Sequence, residues 1–238
     1  MINPRQSLES LIDQNYILGH AINRYQIPKE SHSKSIECLC TRHSIDLNFL
    51  LEVLNAFETP KTFSPKRFLS FSFDTLLDYL QRTHIFYQEK RLFEIEQSIL
   101  QLVIGHQRDN PVVLLLQNFF RNFSVELSEH IQLEEEKLFP YLKSLHDYST
   151  SFEKMEIPFK HQFSIQNFIS LHDDEVESSL SLIREKILLQ NPETTLSFPY
   201  KVLLHQMESF EIDLHLHGLI EDEVLLPKGR ELELMLLN

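Results

Sequence analysis

Two stretches of this chain repeat one phrase: HIQLEEEKLFP at His130–Pro140 and HGLIEDEVLLP at His217–Pro227. Each reads His, three residues, Glu, three residues, Leu, an apolar residue, Pro. On an α-helix a His and a Glu four positions apart lie about 40° apart around the axis and about 6 Å along it, so both side chains reach toward one point. Each phrase can therefore offer an imidazole and a carboxylate to one ion or one pair of ions. The spacing alone is weak, because a Glu-rich chain with 12 His yields such pairs by chance. The shared frame, with its Leu-x-Pro tail, is the stronger signal.

Upstream of each phrase stands a His among polar neighbours, His84 in LQRTHIFYQ and His172 in ISLHDDEVE, 46 residues before His130 and 45 before His217. From about Phe73 onward, apolar residues recur at spacings of three and four through four long segments, with breaks near residues 106–110, 147–158 and 189–197. Asn110 can cap a helix that has Pro111 at its first position, and Pro199 suits the first turn of the last helix. Two repeated helical hairpins result, and the expected fold is all-α, an antiparallel four-helix bundle over residues 72–232. The composition agrees: 4 Gly, many Leu and 18 Phe favour helices over a sheet with its many turns.

Folding the two hairpins together brings one His from each helix, and a Glu from the second and fourth, to a common level. His84, His130, His172 and His217 with Glu134 and Glu221 make a ligand set for two metal ions, and imidazole with carboxylate suits iron, manganese or zinc. With no thiolate there, an iron-sulfur cluster or copper(I) is disfavoured. Taken singly, a helical His is usually solvated or hydrogen-bonded. The run Glu134-Glu135-Glu136, and Glu221 beside Asp222 and Glu223, would ordinarily be solvated faces. The periodicity, however, sets His130 and Glu134 on one stripe with Phe123, Leu127 and Leu138, where an uncompensated charge is costly and coordination offsets that cost. His205 and His215 point away from His217 and read as surface or outer groups. His20, His32, His43, His106, His146 and His161 have no repeat partners. Phe119, Phe120 and Phe123 read as core packing, and Tyr87 and Gln88 stand near His84 with no spacing that singles them out.

Ahead of the bundle, residues 1–58 read as a small helical N-terminal domain with amphipathic pieces at about Ser7–Tyr25 and Ser35–Phe57. Residues 59–71, with Pro60 and Pro65 among Lys, Ser and Thr, read as a linker. The net charge of -13, with 22 bases against 35 acids, excludes nucleic acid as a natural partner and disfavours an anionic membrane. The first residues lack the pattern of a secretory signal and no apolar run approaches a membrane span, so a cytoplasmic location is expected. Cys38 and Cys40 are too close in sequence for an ordinary disulfide, which agrees with a reducing compartment.

With these residues in place, the chain resembles the hemerythrin-like domain of the repair-of-iron-centres proteins, a di-iron family associated with iron-sulfur cluster repair. That family's order of His, HxxxE with Leu-Phe-Pro, His-Asp, and HxxxE with a similar tail falls on His84, His130 and Glu134, His172, and His217 and Glu221, over about residues 70 to 230. The resemblance implies two non-haem irons bridged by Glu134, Glu221 and an oxo group and carried terminally by the four His. It further implies reaction with nitric oxide or oxygen species under stress and donation of iron to iron-sulfur client proteins, by a monomer or homodimer. Turnover of the nitric oxide reductase type stays open, as does the alternative of a hemerythrin-like module that binds or senses oxygen or nitric oxide without turnover. The N-terminal region is similar to that family's leading domain, except that the adjacent Cys-Cys expected between its halves is replaced by Pro28-Lys29-Glu30-Ser31-His32-Ser33. Oxygen-carrying hemerythrins match less well, since Val176 stands where their third helix has a second His. Their Asp ligand would fall on Asp222, but Glu221 shares the face of His217 and repeats the frame of Glu134.

Overall fold

The computed structural model describes residues 1–104, 111–150, 163–171, 175–190 and 197–237, and among the described residues there is no strand: the chain is all-α. Four short helices come first, α1 (Leu8–Gln14), α2 (Ile17–Asn23), α3 (Ile36–His43) and α4 (Leu47–Glu58). Ser7, Ser35 and Asp46 start α1, α3 and α4 by accepting the N–H three residues on, which satisfies a donor that the helix itself leaves unpaired. The expected linker, residues 59–71, carries the short helix α5 (Pro65–Phe68) and packs into the structure, because Phe63, Phe68 and Phe71 are interleaved among its polar residues. Phe63 stacks on Phe68 at 5.0 Å, and Phe49 of α4 meets Phe68, Phe71 and Tyr79 edge-on at 5.9, 5.1 and 5.3 Å.

Long rods follow. α6 (Phe73–Phe86) continues through a π-turn at Tyr87–Arg91 into α7 (Leu92–Ile104). α8 (Pro111–Leu133) continues through Glu134–Leu138 into α9 (Phe139–Thr150). The third rod is α10 (Ile165–Leu171) and α11 (Glu175–Gln190), and the fourth is α12 (Phe198–Ile220), a π-turn at Glu221–Leu225 and α13 (Leu226–Leu237). Since α7 lies against α8 while α6 lies against α9, the first two rods run antiparallel. α12 lies against α7 and α11, and α11 also against α8, which closes an antiparallel ring of four. Most of the expected breaks fall outside the described residues, as does Asn110. Pro111 and Pro199 stand in the first turns of α8 and α12 as the sequence suggests.

Two apolar clusters fill the interior. One runs from Ile2 through the N-terminal helices to Leu226, and the other gathers Phe86, Leu116, Phe123, Phe210 and Leu214. Along the first rod the chain passes between them after Leu80, along the second after Ile131, and along the fourth after Leu214, so His84, Glu134 and His217 each stand where the rod changes cluster. A polar layer thus lies between two apolar ones.

Two outcomes follow from this packing. Phe49→Ala, which removes the ring joining α4 to residues 59–71 and α6, should lower stability by about 3–5 kcal/mol in denaturant unfolding followed by circular dichroism. His20 sits between the N-terminal helices and the bundle, its imidazole pushed down to about 3 by burial and by the nearby Arg91, Arg24 and Lys90. Below pH 6.5 the unfolded chain binds a proton there that the folded chain refuses, so stability falls as pH drops from 6.5 and is fully kept above it. His20→Gln should remove up to about 1.4 kcal/mol of this acid sensitivity per pH unit, measured by the same unfolding at pH 7 and pH 5.

Candidate metal centre

Proline explains much of the local geometry. Pro140 and Pro227 lack the N–H that a helix needs, and each ring crowds the carbonyl four residues back, at Glu136 and Glu223. The chain responds just upstream with a wide turn, closed by Phe139 N–H on Glu134 O and by Leu226 N–H on Glu221 O. The Leu-x-Pro tails are thus the local cause of two π-turns, each beginning at the Glu of the repeated phrase. The third, closed by Leu92 N–H on Tyr87 O, forms three residues after His84 without a proline. Such turns gather at functional sites because they re-aim side chains from a helix.

Five of the six residues singled out from the sequence converge here. Glu134 has 0 % exposure, with Oε2 3.0 Å from His84 Nε2 and Oε1 2.6 Å from His130 Nε2. The Nε2 atoms of His84 and His217 stand 3.3 Å apart, and His217 Nε2 is 3.5 Å from Glu221 Oε2. Donor atoms of His84, Glu134 and His217 all lie within 4.8 Å of one another. His130 is the least enclosed of the five, its side chain 21 % exposed. Glu221 is buried while Asp222 is exposed, which separates the two acids that compete in the sequence. His172 lies outside the described residues.

Buried charge sets the electrostatics. Burial, then the neighbouring His84, holds the His217 imidazole well below its ordinary value, so it is neutral and its lone pair is available. Burial would lower His84 too, but its hydrogen bonds with Glu134 and Glu135 outweigh that and raise it. His84 Nδ1 stands 2.7 Å from Glu135 Oε1, and Gln81 Nε2 donates to the other Glu135 oxygen at 3.0 Å. Phe139 stacks flat on the His84 ring at 5.3 Å. A groove of about 400 Å³ lined by Gln81, His84, Gln88 and Glu135 leads to this edge from outside. The donors are nitrogen and oxygen only, they converge, and two of them are carboxylates withdrawn from water: they fit a hard or borderline cation such as iron.

Other residues fall as the sequence suggests or escape it. His205 and His215 are exposed, and His205 Nδ1 pairs with Tyr16 OH at 3.3 Å. Glu135 belongs to a run that reads as a solvated face, yet it orients His84, because one position beyond Glu134 it faces the neighbouring rod. Tyr87 is buried, donates to Asp213 Oδ1 at 2.7 Å and lies edge-on to His217 at 5.8 Å. Asp213 is itself ion-paired with Arg24. Neither Asp213 nor Arg24 carries a sequence signal beyond the place of Asp213 one turn before His217.

No family model matches the chain. It is similar to the iron-sulfur cluster repair protein ScdA of two strains of Staphylococcus epidermidis, 26% identical over 188 residues that cover 78% of this chain and 79% of the relative. No described helix is long and apolar enough to cross a membrane. The similarity supports the repair-of-iron-centres resemblance read from the sequence.

Glu135→Gln should leave the fold intact and weaken metal affinity about 10- to 100-fold, because one amide oxygen cannot accept from both His84 Nδ1 and Gln81 Nε2 and the charge that supports the imidazole is gone. Competition against a coloured chelator measures it.

Proposed function

We propose that this chain works in iron-sulfur cluster repair as a non-haem di-iron protein, its irons held by His84, His130, Glu134, His172, His217 and Glu221. The carrying observation is Glu134, wholly buried, with one oxygen toward His84 on the first rod and the other toward His130 on its own. That is the placement a carboxylate needs to bridge two ions, and bundle interiors host such pairs. Glu221 stands with His217 on the fourth rod in the same relation, and His172 completes the six by its place in the repeat. The naming of similar proteins for cluster repair supports the same reading.

Bound iron would supply redox chemistry toward nitric oxide or an oxygen species at coordination positions the six residues leave open. The protein's own part is to prepare and protect that place. Burial keeps His217 neutral, as a ligand must be. Glu135 accepts a hydrogen bond from His84 Nδ1–H and so turns its Nε2 inward. Phe139 and the two flanking apolar clusters keep bulk water out. A donor set without thiolate suits an ion that is taken up and handed on, the role we assign toward a damaged iron-sulfur client under nitrosative or oxidative stress.

Protein purified without air or chelators should contain about two irons per chain by mass spectrometry, and Glu134→Ala and His217→Ala should each lose most of it. The iron-loaded protein should then consume nitric oxide at an electrode and restore activity to a nitric-oxide-damaged iron-sulfur enzyme. Zinc in place of iron, or a single ion, would redirect the reading to a structural or hydrolytic site. Metal-free protein under all loading conditions would sink it.

A further inference from the structure

We infer that Arg24, supplied by the N-terminal helices, is a positioning residue for the His217 side of the metal centre, acting through Asp213 and Tyr87. The inference rests on the metal reading above and adds a second contributor to the site.

Arg24 follows α2 directly and its side chain is fully buried. Its guanidinium pairs with Asp213 of α12 and donates to Tyr79 OH of α6. It also lies over four rings, with centroids at 5.3 Å for Phe57, 5.0 Å for Tyr79, 5.6 Å for Phe86 and 5.9 Å for Tyr87. A cation from the N-terminal region is thus boxed in by aromatic faces of α4, α6 and the first wide turn, with its anion on the fourth rod. Burial weakens the guanidinium's hold on its proton, and Asp213 beside it more than restores it.

The two inward imidazoles are held differently. His84 has Glu135 on its Nδ1. His217 Nδ1 is buried and, among the described residues, has no hydrogen-bond partner. The orientation of the His217 ring therefore rests on its neighbours, Tyr87 edge-on at 5.8 Å and His84 at 4.9 Å. Tyr87 is fixed in turn by its hydroxyl on Asp213 Oδ1, and Asp213 by Arg24. Asp213 is also one helical turn ahead of His217, so the same anchor steadies the backbone that carries the ligand. What a carboxylate does for His84, a Tyr, an Asp and an N-terminal Arg do for His217. Because coupling is reciprocal, an ion at His217 should tighten the seating of the N-terminal helices.

The test uses the full chain with Tyr87→Phe, which removes only the hydroxyl, and Arg24→Lys, which keeps the charge but loses the fork that spans Asp213 and Tyr79. Loaded with iron, both variants should fold and release one of two ions to a chelator about 10-fold faster or more than the unsubstituted chain. In the metal-free proteins the ring signals of His217 should move by nuclear magnetic resonance while those of His130 stay. Iron should slow hydrogen exchange around Arg24 in the unsubstituted chain and fail to do so in Arg24→Lys. Unchanged release and unmoved His217 signals, with only a lower melting temperature, would overturn the inference alone and leave Arg24 a packing residue. An unsubstituted chain that takes up no ion overturns both this inference and the metal reading.

Discussion

A carboxylate with no exposure to water, facing imidazoles on two rods, is the constraint around which the bundle is arranged. Taking such a group out of water costs several kcal/mol unless an opposite charge or a set of hydrogen bonds answers it. Glu134 is answered by His84 and His130, and Glu221 stands by His217, yet His84 and His217 are themselves buried and His217 is driven toward neutrality. Five ionisable groups pressed together with too little positive charge is a poor way to stabilise a core. It is a good way to hold a cation, and the apolar clusters on either side provide the stability the polar layer does not.

The wide turns connect this layer to the sequence. A straight α-helix would carry the Leu-x-Pro tail into a clash, so the helix opens just before it and begins that opening at the ligand-type Glu. The proline therefore acts on the site from six residues away, through the backbone alone. Such a turn is rare in helices, and here it places Glu134 inward and Glu135 toward the neighbouring rod.

The helical rods and five of the converging residues were legible because each rests on a local period: apolar residues at three and four, His and Glu at four, and the same phrase twice. The wide turns were not, although their cause was printed in Pro140 and Pro227, because the phrase reads as a ligand frame before it reads as a backbone instruction. Glu135 was hidden by its run of acids. The packing of residues 59–71 was hidden by the prolines and lysines around Phe63, Phe68 and Phe71. Arg24 and Asp213 could not be found at all, since 189 residues separate them and only the folded chain brings them together.

That long-range pair bears on why an N-terminal region without the adjacent cysteines of the family it resembles should be present. Cys40 is buried, and burial pushes its thiol up to about 11, so it offers little thiolate at neutral pH for redox or metal chemistry. Cys38 is exposed and stands alone. The region's physical contribution lies elsewhere, in Leu18, Phe49, Leu54 and Phe57, which belong to the apolar cluster that runs from Ile2 to Leu226, and in the guanidinium that neutralises Asp213. Without that cation the bundle would hold a buried Asp one turn from His217 with no opposite charge beside it, a loss of several kcal/mol placed next to the buried His217–Glu221 pair. The bundle is therefore incomplete without the N-terminal helices on electrostatic grounds alone.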